Sequence, residues 1–234
     1  MMLKEYSRIV IYEYGKVGTN TIVNSFRNYL NEYDCGWHFQ IKKEYPEYII
    51  VTHQHDVFED IINKNNFQKI LIITATRNCL SFGMSLFFEL ILQKYSKEEV
   101  INMEKYELLE NCKKFISLHA NKDDWFDGFY KNTGINILDD YKENFLFKTN
   151  DIFDVLMYRF EDIQNLKNII KETLNIDLNI ARGNLSENKW YANEYKYCKD
   201  NIIITKDILS SYYNSNHHKK IYSDKNYIDF KIEL

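Results

Sequence analysis

The chain has 234 residues, 45% of them hydrophobic and 27% charged, with a formal net charge of −4. That length supports one sizeable core, at the upper end for a single domain, and we read residues 1–234 as one domain of ordinary globular composition. The acid excess argues against bulk nucleic-acid binding, which needs a basic surface to displace counterions, but allows a local anion site built from a few cations.

Arg8 to Tyr14 is a short apolar, β-branched run and reads as a strand. Gly15-Lys16-Val17-Gly18 follows as a turn, and Thr19-Asn20-Thr21 opens a helix. Ile22, Val23, Phe26, Leu30 and Tyr33 give that helix its apolar period, with Thr19 or Asn20 as its N-cap. Tyr48 to Thr52 reads as a second strand ending at His53-Gln54-His55, and Lys69 to Thr76 as a third ending at Arg77. An amphipathic helix is expected over residues 80–95, and residues 96–133 read as helical up to a stop at Gly134. Asn144 to Lys148 and Val155 to Tyr158 are expected to pair around the turn Thr149-Asn150-Asp151. Helices are expected over residues 161–174 and 188–200.

Apolar strands separated by helical stretches imply an α/β fold: a central parallel β-sheet flanked by helices on both faces. Ligands of such sheets sit at the carboxyl ends of the strands, where Lys16, His53 and Arg77 all fall. The four cysteines Cys35, Cys79, Cys112 and Cys198 are widely spaced and read as reduced thiols. No apolar run reaches membrane-spanning length and no signal-peptide pattern is present, so no membrane span and a cytoplasmic location are expected.

The turn from Gly15 to Thr21 carries the strongest chemical signal. Main-chain N–H groups at a helix N-terminus attract an anion, glycines let the backbone approach it, and Lys16 adds a full charge. The alternative is an ordinary βα turn with one exposed lysine. A nucleotide-triphosphate loop is disfavoured, because GxxxxGK[ST] puts Lys late and a hydroxyl beside it for Mg²⁺. Arg77 suits bidentate phosphate recognition, and Ser85, eight residues on, can add a hydrogen bond. Each also has a plain structural reading, as a salt-bridge residue and a small packing residue.

Gly15 to Ile22 (GKVGTNTI) resembles the 5′-phosphosulfate loop of sulfotransferases, and Thr76 to Phe88 (TRNCLSFGMSLFF) resembles their 3′-phosphate motif. Residues 125–134 (WFDGFYKNTG), 156–163 (LMYRFEDI) and 184–195 (NLSENKWYANEY) resemble the bacterial putative capsular polysaccharide synthesis family, within the P-loop sulfotransferases. The chain departs at Asn78-Cys79, where that family usually has Asp-Pro. The resemblance implies a P-loop sulfotransferase-like fold and metal-free sulfuryl transfer from the co-substrate 3′-phosphoadenosine 5′-phosphosulfate to a carbohydrate hydroxyl. It implies that Lys16 stabilises the leaving oxygen and that Val17, Gly18, Thr19, Asn20 and Thr21 hold the 5′-phosphate. Arg77 and Ser85 would hold the 3′-phosphate, Lys189 would reach the donor's phosphates, and Trp190 or Tyr191 would pack near adenine.

The acceptor hydroxyl needs a general base. The H-x-H arrangement of His53 and His55 resembles the catalytic pair of uronyl 2-O-sulfotransferases, and alternation would put both on one side if the strand continued. His53 is preferred as nearer the strand end, with Glu13 a lesser candidate. Either histidine could instead only orient loop groups. Tyr158, Arg159, Glu161 and Asp162 read as a scaffold for the donor site, and His217 to Lys220 as a solvated basic stretch. Two rivals stay open: a nucleotide-dependent kinase, and a catalytically silent relative that binds a nucleotide or glycan.

Overall fold

A computed structural model describes residues 3–32, 48–63, 69–141, 145–180, 189–223 and 230–233. Tyr33, Cys35, Asn144 and residues 184–188 of the C-terminal motif lie outside the described residues.

In chain order the elements are β1 (Arg8–Tyr12), α1 (Thr19–Glu32), β2 (Ile49–Thr52), α2 (His55–Asn63), β3 (Ile70–Thr76), α3 (Cys79–Leu90), α4 (Lys97–Asn102), α5 (Lys105–Leu118) and α6 (Asp123–Thr133). Then come α7 (Ile137–Asp140), β4 (Phe145–Thr149), β5 (Phe153–Arg159), α8 (Leu166–Leu174), α9 (Ala192–Asn201), β6 (Ile203–Ile204), α10 (Lys206–Asn214) and β7 (Lys231–Ile232). The chain is thus an α/β protein with a mostly parallel central sheet flanked by helices. No described helix is long and apolar enough to cross a membrane.

The residues pack as two compact units, each drawn from two stretches of chain: residues 1–76 with 127–183, and residues 77–126 with 184–234. The first unit holds the sheet, in the order β2-β1-β3-β5-β4. Strands β2, β1, β3 and β5 run parallel, and β4 closes the edge antiparallel to β5. The β4–β5 turn forms because Asn150 accepts from the main-chain N–H groups of Ile152 and Phe153.

Strand alternation splits the apolar side chains between two faces. Ile9, Ile11, Leu71, Ile73, Ala75 and Leu156 join Ile22, Phe26 and Leu30 of α1 and Leu166, Ile170 and Leu174 of α8 in one core. Tyr12 points the other way, stacked on Phe58 of α2 with centroids 4.1 Å apart and on Phe129 of α6 at 5.1 Å. Both faces are therefore covered, as a sheet of continuous apolar strands requires. At the amino end of the sheet, buried Asp154 accepts from Tyr6 Oη at 2.5 Å and pairs with Lys69 at 2.8 Å.

The second unit packs α3 against α5 around Leu80, Met84, Phe88, Leu108, Cys112 and Ile116. A Cβ on Gly83 would lie 2.9 Å from Ile116 Cα, so these helices touch backbone to backbone there. Asn78 caps α3, accepting from the N–H groups of Leu80 and Ser81. His217 corrects the expectation of a solvated basic stretch. It is fully buried, its Nδ1 3.2 Å from Cys79 Sγ, and its main-chain N–H donates to Asp123. Burial drives its imidazole down to about 3, so the ring is neutral.

Candidate active site

In the sheet β1 lies between β2 and β3, with the chain leaving β1 toward β2 and returning across to β3. The carboxyl ends of strands at such a reversal are where α/β proteins bind ligands. The segment 13–18 fills that end. Gly15, Lys16 and Gly18 all have left-handed backbones, with φ of 86°, 54° and 92°. Among the described residues only Lys16 and Asn175 do so without being glycine, and Asn175 merely ends α8. A lysine held there costs free energy, a strain that concentrates at ligand clamps.

Neighbours hold the loop in shape. Val17 is fully buried in the core beneath α1. A Cβ on Gly18 would come within 3.1 Å of the Phe160 ring, a tight contact that adds to the cost its positive φ already imposes on any side chain. The Gly18 carbonyl accepts the first bond of α1, from Ile22 N–H at 3.2 Å. The N–H groups of Thr19, Asn20 and Thr21 precede that bond and have no intrahelical acceptor, which is the donor set an anion needs. The Thr19 hydroxyl is differently engaged: it donates to the Glu13 carboxylate.

Glu13 sits between β1 and the loop and is 1% exposed. Burial raises its carboxyl to about 7, with the Thr19 hydrogen bond pulling the other way. Tyr158 of β5 is fully buried, and among the described residues its hydroxyl has no hydrogen-bond partner. Burial first, then the charge of Glu13, pushes that phenol well above its ordinary value. Beside it, buried Arg159 donates from Nε to Asp162 at 2.6 Å.

The two sequence-nominated histidines have different surroundings. His53 follows the last residue of β2, is exposed, and its Nδ1 lies 2.9 Å from the Glu13 main-chain oxygen. A carbonyl only accepts, so Nδ1 carries a proton, and a neutral ring then has its lone pair on Nε2. His55 does not continue the strand, as alternation would have it, but opens α2. Its Nδ1 is bonded to Tyr12 Oη, and Asn132 Nδ2 donates to Tyr12 Oη at 3.3 Å and to the His55 carbonyl at 2.9 Å. Burial lowers the His55 imidazole from its ordinary value, with the Asp56 charge pulling the other way. Its Nε2 edge abuts Gly128, where a Cβ would come within 2.3 Å.

In the second unit, Arg77 directly precedes the cap of α3 and is half-buried. Ser85 lies inside α3, its Oγ 3.4 Å from Tyr195 Oη of α9. Lys189 is half-buried in the turn before α9, its carbonyl accepting from Ala192. Tyr191 is buried and stacks on Phe88 at 5.3 Å, whereas Trp190 is only half-buried. Among the described residues no three His, Cys, Asp or Glu side chains gather as a metal site.

The left-handed Lys16 and the acidity of Glu13 were not legible as such. The first depends on how Val17 and Phe160 pin the turn, the second on burial that neighbouring strands impose. Glu13's place at the end of an apolar run was the only signal.

A mostly parallel α/β sheet bearing a strained, basic, glycine-flanked turn at the carboxyl end of β1 defines this chain's class. No protein-family model matches the chain, and no curated protein or solved structure matches it.

Proposed function

We propose that the chain is a sulfotransferase with a P-loop sulfotransferase-like fold. It would move a sulfuryl group from 3′-phosphoadenosine 5′-phosphosulfate to a hydroxyl of a carbohydrate, a capsular or cell-surface glycan, in the cytoplasm. The observation that carries the reading is the Gly15–Gly18 turn: a left-handed lysine between two left-handed glycines, heading a helix at the reversal point of the sheet.

The donor's 5′-phosphosulfate group is taken up by the main-chain donors of Gly18, Thr19, Asn20 and Thr21, and by resemblance its 3′-phosphate goes to Arg77 and Ser85, with Lys189 assisting. The acceptor oxygen attacks sulfur as the bond from sulfur to the 5′-phosphate oxygen breaks, and adenosine 3′,5′-bisphosphate leaves. Lys16 offsets the charge that grows on the departing oxygen, an effect that acts only in the transition state. His53 takes the hydroxyl proton on Nε2, its ring held by the Glu13 carbonyl. His55, engaged by Tyr12 at Nδ1 and covered by Gly128, is assigned to packing rather than proton transfer.

The test is release of the bisphosphate from the donor in the presence of EDTA and candidate glycans. Lys16→Ala is expected to slow transfer by about 10²–10³-fold, the loss typical of one transition-state donor. His53→Ala is expected to slow it by about 10²–10⁴-fold. Unchanged turnover in Lys16→Ala would reject the role given to that lysine.

A further inference from the structure

Glu13 stands two residues before Gly15, is almost wholly buried, and accepts the proton of the Thr19 hydroxyl, the first side chain of α1. Among the described residues no lysine, arginine or histidine side chain forms an ion pair with its carboxylate. The groups around it are the Thr19 hydroxyl from α1, the neutral Tyr158 phenol from β5, His53 on its main-chain carbonyl, and Lys16 in the loop that follows. An uncompensated buried carboxylate therefore adjoins the very turn read above as an anion site.

We propose that Glu13 is a proton-linked positioning residue for that turn: an anion held there favours the protonated carboxyl, and the proton turns the Thr19 hydroxyl toward the anion. The inference rests on the reading of Gly15–Thr21 as an anion site.

Two effects act in the same direction. A hydroxyl has one proton to donate and lone pairs to accept with. While Glu13 is ionised, Thr19 donates to it and has nothing for a ligand. Once Glu13 is protonated, its acid O–H donates to Thr19 Oγ1 and the Thr19 proton is released for the bound anion. No bond other than these hydrogen bonds is made or broken, and the proton comes from solvent. Second, a buried carboxylate repels a neighbouring anion, and weak screening makes that repulsion strong. Because burial already brings the carboxyl to about 7, the exchange falls at ordinary pH. By linkage, anion affinity weakens as pH rises past that value, approaching about tenfold per pH unit for one proton.

The experiment is calorimetric titration with adenosine 3′,5′-bisphosphate, and in parallel with pyrophosphate, in EDTA at pH 7.5 in two buffers of unlike ionisation enthalpy. The wild-type chain is expected to take up a fraction of a proton on binding and to bind at least about threefold tighter at pH 7 than at pH 8. Uptake carried by the ligand or by His53 would persist in Glu13→Gln, so its loss in that variant is what assigns the proton to Glu13. Glu13→Gln is expected to bind without proton uptake and with little change between the two pH values. Thr19→Val keeps the main-chain donors and is expected to lose part of the tightening. The wild-type uptake needs no variant to fold. Binding without uptake in the wild type, or uptake undiminished in Glu13→Gln, overturns the inference, and an unaltered tightening in Thr19→Val overturns the part given to the hydroxyl. Pyrophosphate bound with proton uptake while the bisphosphate fails would overturn the donor reading and leave the inference standing. Failure of both anions overturns both.

Discussion

Glu13 affects folding as well as binding. Its carboxyl sits at about 7 in the folded chain, above the ordinary 4.5, because burial disfavours the charged form. Below the ordinary value both folded and unfolded chains hold the proton, and the contribution to stability is complete. As pH rises from there to about 7 the unfolded chain ionises first, so stability drains away, and above about 7 it stays at the lower level. The full span is on the order of 3 kcal/mol. Urea midpoints at pH 5 and pH 8 should therefore differ more for wild type than for Glu13→Gln, with the wild type losing stability toward pH 8. Equal differences in the two proteins would show that Glu13 is not the titrating group. The histidines make a second residue-scale contrast: two positions apart in sequence, one is exposed with its Nδ1 on a carbonyl, while the other is half-buried against Tyr12, Asn132 and Gly128.

At the scale of elements, close approach rests on two glycines whose neighbours leave no room for a methyl group. Gly83 of α3 faces the Ile116 backbone of α5, and Gly128 of α6 faces the His55 ring. Alanine at either should destabilise by about 1–3 kcal/mol, the usual cost of overpacking, read as a lowered urea midpoint. A midpoint unchanged in Gly83→Ala would mean that α3 and α5 do not meet there. Much of the framework was legible from apolar runs. β1, β2 and β3 fall within a residue or two of expectation, and the β4–β5 hairpin was marked by Thr149-Asn150-Asp151. Asn78, a departure from the resembled motif, still caps α3, because its side-chain oxygen accepts as an aspartate's would. What eluded the sequence depends on partners distant in the chain. His55 opens a helix because Tyr12 and Asn132 hold it, and His217 is buried because Asp123 binds its main-chain N–H. Periodicity reports which face a residue occupies but not what covers it.

At the scale of the whole molecule, the candidate residues fall in both units. Lys16, Gly18, Thr19, Asn20, Thr21 and His53 belong to the first, and Arg77, Ser85 and Lys189 to the second. By resemblance the first set answers to the donor's 5′-phosphosulfate and the second to its 3′-phosphate. A nucleoside triphosphate would account for neither Arg77 nor the early Lys16, and the kinase reading further needs Mg²⁺. The most direct measurement is calorimetric titration of the whole chain with adenosine 3′,5′-bisphosphate in EDTA, beside ATP with and without Mg²⁺. The account predicts metal-independent binding of the bisphosphate, weakened by at least about tenfold in Arg77→Ala, the cost of losing one charge-assisted contact. No bisphosphate binding, or an Mg²⁺-dependent preference for ATP, would contradict it.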